Sequence, residues 1–240
     1  RSGRGRLKFF DVRMRIRAKG AIRRAGILIF PALWDWAYRR FRLSRYRRAG
    51  VAFCHIPKNG GSHVCSQLYG TNLGHIPAWQ QIRELADAGM TDLPVIAFVQ
   101  DPVNRFCSSA SHFFSRGGEH STLAWDDRYD SIKTLSQLID FACAVRDEDR
   151  DPILKSQHYY LSGAAELAAA SGIEFRIYPL SELNKVIAGF LKAPVRAGGA
   201  GRQNRSPLSA DYRRELQEHV DLRGRVLDLY RDDLGYLPQD

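Results

Sequence analysis

Apolar and polar positions follow two rhythms along this chain, and each rhythm predicts a kind of element. Val51–Ile56 (VAFCHI) and Leu93–Val99 (LPVIAFV) are short, nearly continuous apolar runs, the pattern of strands covered on both faces. Glu174–Pro179 (EFRIYP) reads as a third strand. Between and after them, apolar residues recur at three- and four-residue spacing, which predicts helices through His63–Tyr69, over 77–88, from Asp101-Pro102 to about Phe114, over 131–145, around 152–171, over 181–192, and at 209–219 and 221–233. Pro77 falls in a first turn, and an acid followed by proline opens the helix at 101, both favourable there. Residues 115–130 are polar and irregular and read as a surface lid, while Pro194–Pro207 is a Gly/Arg/Asn-rich loop. Strands alternating with helices predict an α/β fold with a parallel sheet.

Composition adds bounds. The 240 residues suffice for one domain with an arm, and 44% hydrophobic with 26% charged residues excludes the disordered, collagenous and membrane-spanning classes. Charge changes the picture more. The net charge is +10, but residues 1–50 hold sixteen Lys/Arg against Asp11 and Asp35, and the other 190 residues are net −4. The expected organisation is therefore a basic, aromatic-rich arm over 1–49 and a main domain over 50–240.

Within the arm, residues 1–25 read as a cationic helical segment, and residues 27–48 mix Trp34, Trp36, Tyr38 and Phe41 with six arginines. Such a mixture suits an anionic surface, so residues 1–48 are expected at an anionic membrane or a polyanionic acceptor. The competing reading is a helix that packs its aromatic stripe and turns its arginines to water. Nucleic acid is not an expected partner, since no binding module accompanies the charge. The longest apolar run, Gly26–Trp34, falls well short of the ~20 residues of a spanning helix. Cys54, Cys65, Cys107 and Cys143 form no CxxC pair and no Cys/His ligand spacing, so neither a structural zinc nor a disulfide framework is expected.

The chemistry concentrates where the first strand ends. Pro57-Lys58-Asn59-Gly60-Gly61-Ser62 joins a buried strand to a helix, which makes an anion site: glycines admit close approach, the helix N-terminus adds partial positive charge, and Lys58 adds a full one. Lys58 precedes the glycines, so the loop is not a Walker A sequence, and it is not GxGxxG either.

His55-Ile56-Pro57-Lys58-Asn59-Gly60-Gly61-Ser62 resembles the HIPKTGGTS 5′-phosphosulfate loop of sulfotransferases that use 3′-phosphoadenosine 5′-phosphosulfate (PAPS). The likeness is to the membrane-associated carbohydrate branch, of the heparan sulfate 2-O-sulfotransferase kind. Val99-Gln100-Asp101-Pro102-Val103-Asn104-Arg105-Phe106-Cys107-Ser108 is similar to that branch's VRDPxxRxxS 3′-phosphate motif, with Gln100 where the family has arginine. Arg202-Gln203-Asn204-Arg205-Ser206 and Tyr230-Arg231-Asp232-Asp233 resemble its N-x-S and Y-x-x-D tail. The resemblance covers about Val51–Leu237.

It implies a P-loop NTPase-like three-layer fold, a central parallel sheet flanked by helices, and an O-sulfotransferase that moves a sulfuryl group from PAPS to a hydroxyl of a carbohydrate or glycolipid acceptor. PAPS is the implied co-substrate and PAP the product, and no metal is called for. Pro57, Lys58, Asn59, Gly60, Gly61 and Ser62 are expected at the 5′ end, Arg105 and Ser108 at the 3′-phosphate, and Arg202, Asn204 and Arg205 as a second clamp. Lys58 is the expected charge stabiliser and His75 the expected base, with His63 as a rival. His55 is expected at the strand end, His112, His120 and His158 at the acceptor or on the surface, and Trp79, Trp125, Tyr159 and Tyr160 against a sugar. Two other classes are weighed: a non-catalytic polyanion- or membrane-binding protein on a degenerate sulfotransferase fold, and a nucleotide kinase. The cysteines favour a cytoplasmic enzyme peripheral to the membrane. A Golgi-lumen enzyme is the alternative if an N-terminal anchor is missing from the chain.

Overall fold

A computed structural model of the chain describes residues 31–115, 129, 131–191 and 208–238. The lid at 115–130, apart from Ser115 and Tyr129, and the clamp residues Arg202, Asn204 and Arg205 lie outside the described residues, as do Trp125, His120 and residues 1–30. The chain divides into two compact units, Arg1–Arg45 and Tyr46–Asp240.

In the first unit the described part belongs to helix α1 (Pro31–Ala49), which carries Arg47 and Arg48 in its last turn. Basic side chains there suit the negative end of the helix dipole.

The second unit is mixed α/β. Strands β1 (Ala52–Cys54), β2 (Val95–Val99) and β3 (Phe175–Pro179) form one three-stranded parallel sheet in the order β1-β2-β3. Ala52 pairs with Val95, and Val95 in turn with Phe175. Every residue of β1 and β2 is buried, as their unbroken apolar composition requires of strands covered on both faces. β3 is an edge strand and only half buried; its last residue, Pro179, can donate no ladder bond.

Helices α2 (Gly61–Tyr69), α3 (Ala78–Asp87), α4 (Pro102–Phe114) and α5 (Leu135–Ala144) follow the order the apolar spacing predicts. Asp101 caps α4 by accepting from Asn104 N–H at 2.8 Å, with Pro102 in the first turn. Thr134 and Gln137 close a capping box on α5. The single helix expected around 152–171 is two, α6 (Gln157–Leu161) and α7 (Ala164–Ser171), because Gly163 turns through φ 68, a left-handed conformation suited to glycine. α8 (Leu183–Ala188) is shorter than its pattern, and α9 (Ser209–Glu218) and α10 (Val220–Leu229) precede a 3-10 turn at Arg231–Tyr236.

Two cores result. α3 packs on β1 and β2, and α7 packs on α3 and β3. A second, mainly helical core joins α4 and α5 to α9 and α10 through Phe106, Phe113, Leu138, Leu216, Val226 and Tyr230. The loop at Pro57–Gly60 leaves β1 at its carboxyl end, where ligands bind in open parallel α/β sheets.

Candidate active site

The loop between β1 and α2 is held from below by amides. Asn59 is wholly buried, and its Nδ2 donates to the carbonyl of Phe98 and to Gln157 Oε1, both at 2.7 Å. Gln100 Nε2 donates to the Lys58 carbonyl at 2.9 Å and to Asn59 Oδ1 at 3.2 Å. Gln157 accepts from Gln100 N–H and returns a bond to the Gln100 carbonyl. Asp233, from the closing 3-10 turn, accepts from His158 N–H at 2.8 Å and from Gln157 Nε2 at 3.4 Å. Arg105, expected on a 3′-phosphate, is instead fully buried beneath the loop. Its Nε donates to the Pro57 carbonyl at 3.3 Å and its Nη2 to the Lys155 carbonyl at 2.5 Å. A guanidinium spent on carbonyls in the interior supports the loop and does not meet solvent.

The loop's own backbone is wound to match. Lys58 has φ 71 and Gly60 φ 74, and Lys58 is the sole non-glycine with positive φ among the described residues. Left-handed backbone costs an L residue about 1–2 kcal/mol and gathers at functional sites. With the carbonyls of Pro57 and Lys58 taken from below, the N–H groups of Lys58, Gly60, Gly61 and Ser62 have no acceptor in hydrogen-bonding geometry among the described residues. Four donors at the start of α2, beside a lysine, are an anion cradle. Burial and the neighbouring Arg105 charge hold the Lys58 ammonium below its usual range, so an anion there would relieve both.

Histidines form one wall. His55 lies just past the end of β1, buried, with Nδ1 3.2 Å from Asn72 Oδ1. Its ring covers Gly61 so closely that a Cβ on Gly61 would stand 1.7 Å from His55 Cδ2. Burial and the adjacent His75 push its pKa down to about 3, so it stays neutral. The His75 ring lies 4.2 Å from that of His55, and its Nδ1 is 3.0 Å from the His55 carbonyl. A carbonyl only accepts, so Nδ1 carries the proton and Nε2 offers its lone pair. His75 is surface-accessible as a residue, yet protein atoms crowd its ring, and that desolvation lowers its pKa. His112, on α4, feels the Lys58 charge as well as burial and is pushed down to about 4.

Ser108 is half buried one helical turn from His112. His63 is half buried on α2, and Ser62 is exposed at its start. His158 is bound to the Tyr236 hydroxyl at 3.1 Å. Two of the aromatics expected against a sugar serve packing instead: Tyr160 is buried with its hydroxyl on the Pro152 carbonyl, and Tyr159 lies under Lys155 Nζ at 3.8 Å. Trp79, at the start of α3 and four residues from His75, is 41% exposed. Reasoning from sequence missed Asn72, Gln157 and the inward role of Gln100, because only packing brings residues so far apart in the chain together. The four cysteines are free, and burial raises the thiol pKa values of Cys54, Cys65 and Cys107. Among the described residues, no group of three or more His, Cys, Asp or Glu gathers as a metal site, and no helix is long and apolar enough to cross a membrane.

Comparison with protein-family models, with curated proteins and with solved structures finds no match to this chain. A functional reading therefore rests on the chain's own residues and their geometry.

Proposed function

We propose that the protein is a PAPS-dependent O-sulfotransferase, its parallel sheet a reduced form of the P-loop-like three-layer fold, acting on a hydroxyl of a carbohydrate or glycolipid. The observation that carries this reading is the loop: at the carboxyl end of β1 it carries Lys58 and four backbone N–H groups with no acceptor among the described residues, and its Gly61 lies under the ring of His55, which neighbours His75. In the transfer, the acceptor oxygen forms a bond to sulfur as the bond from sulfur to the 5′-phosphate oxygen breaks. The hydroxyl proton passes to His75 Nε2, and the charge left on the 5′-phosphate is met by the loop amides and Lys58. Positioning and charge stabilisation are what this chemistry asks of a protein, as in phosphoryl transfer.

Arg105 acts through the loop, presenting a buried cation under the Pro57 carbonyl. Ser108, expected at the 3′-phosphate, lies one helical turn from His112, which the Lys58 charge reaches, and in this reading it keeps that role while the buried Arg105 does not. Trp79 supports a carbohydrate acceptor, since an exposed indole near the base suits the apolar face of a sugar ring.

Calorimetric titration with PAP tests the reading. Micromolar binding by the whole chain, lost in Gly61→Arg and kept in His75→Ala, is the expected result, with transfer abolished in both. A chain that ignores PAP would be the non-catalytic relative, and wild-type turnover in His75→Ala would remove the base.

A further inference from the structure

A cavity of about 430 Å³ opens on the second unit where α4 meets α9 and α10. None of the loop residues Pro57–Ser62 lines it, and neither does His55 or His75. Its apolar part is Val103, the buried Leu216, and Val220, which stands 75% exposed just past the break between α9 and α10 at His219. Its polar part holds two cations, Arg213 on α9 and Arg223 on α10. Cavities of this size between helices are where small molecules bind.

The two guanidinium groups are the unusual feature. Arg146, Arg150, Arg176, Arg225 and Arg231 each pair with a carboxylate. The guanidinium groups of Arg213 and Arg223 have no hydrogen-bond or ion-pair partner among the described residues, although Asp101 lines the same cavity. Asp101 Oδ1 is committed to the Asn104 N–H at 2.8 Å, as the cap of α4. Two like charges on the wall of one cavity repel, and an anion between them is attracted to both.

The rest of the wall narrows the choice of anion. Inorganic phosphate or sulfate would leave Val103, Leu216 and Val220 against water, whereas an apolar body covers them. The Asp101 carboxylate on the same wall repels a second negative charge, which disfavours polyanions and phosphate dianions. A carboxylate brings one charge and matches the planar fork of arginine. We propose that this cavity binds a small organic acid, a single carboxylate on an apolar body, between Arg213 and Arg223. Binding there does not depend on the transferase reading, and its test reads no sulfuryl transfer.

The experiment is a ¹⁹F NMR titration of the whole chain with 4-(trifluoromethyl)benzoate, beside its neutral amide and beside acetate read by displacement. Saturable binding of the benzoate is expected, with the amide and acetate each weaker by about tenfold or more. Arg213→Gln and Arg223→Gln should each weaken it about tenfold, the scale of a lost charge-assisted hydrogen bond. Arg213→Lys should recover only part of that loss, since an ammonium lacks the fork. Val220→Ser should weaken binding severalfold, and Arg214→Gln, on the same helix but outside the cavity, should leave it unchanged. Far-UV dichroism and melting of each variant show that the fold is intact. Absence of saturable binding overturns the proposal, as does equal binding of the neutral amide or wild-type affinity in both arginine-to-glutamine variants. Displacement of the benzoate by PAP also overturns it, because the cavity would then belong to the nucleotide.

Discussion

Lys58 holds a conformation that its own side chain disfavours, at φ 71, and it brings a half-buried cation to the loop besides. Strain of this kind persists when the surroundings over-determine it, and here Gln100 and Arg105 grip the carbonyls on either side of the Lys58 amide-to-carbonyl unit. Asparagine tolerates the left-handed region better than lysine and brings no charge. Lys58→Asn is therefore expected to melt no lower than the wild type while losing PAP affinity by about tenfold or more, the scale of a charge-assisted contact. A drop in melting temperature would show that lysine is a structural requirement of the turn. Gly61 is constrained differently, by contact with the His55 ring and not by φ. Gly61→Ala has to move the His55 ring, which packs 4.2 Å from the ring of His75. The variant should thus lose PAP binding and shift the His75 imidazole resonances, while the Nδ1–H tautomer held by the His55 backbone carbonyl stays, which ¹⁵N chemical shifts report independently of turnover.

At the scale of elements, three segments remote in sequence close the floor of the loop: the end of β2 at Gln100, the start of α6 at Gln157, and the last 3-10 turn at Asp233. Gln157→Leu would leave Asn59 Nδ2 with one acceptor in place of two and Gln100 N–H with none, in a buried setting. Orphaned buried donors cost about 1–3 kcal/mol each. A lowered urea midpoint with unchanged slope is the expected result, and an unshifted midpoint would mean that water replaces the amide. Much of this element plan is legible beforehand. The unbroken apolar runs mark β1 and β2, the glycines mark the loop, and Asp101-Pro102 marks where α4 begins. Gln100 stands where the resembled motif has arginine, and the sequence does not reveal that it bonds the loop from below or that Arg105 places a cation there. A second arginine at 100 would bury a further like charge near Lys58 and Arg105, which neutral glutamine avoids. The break at Gly163 is equally hidden, since the segments before it (QHYYL) and after it (AAELAAAS) both read as helical.

Across the second unit as a whole, the site gathers three histidines that the fold keeps neutral: His55 near 3, His112 near 4, and His75 below its ordinary value. Their unfolded counterparts titrate near 6.5. Above that pH neither state binds the protons, and the histidines leave stability flat. Below it the unfolded chain takes up protons that the folded chain refuses, so stability falls as pH falls, and for buried His55 the loss approaches ~1.4 kcal/mol per pH unit until its folded pKa is reached. Asp233 works the other way, because burial raises its carboxyl pKa and acid protonates it in the fold before it does so in the unfolded chain. One group opposing three leaves the net slope with the histidines. The melting temperature is accordingly expected to be level from pH 8 to about 6.5 and to decline toward pH 4, with His55→Gln flattening the decline. The same neutrality serves the chemistry, since a base that is unprotonated throughout the neutral range places the acid limb of kcat/KM below about 6.5. A limb above that value would assign the proton transfer to some group other than His75, even if the acid unfolding followed the course described.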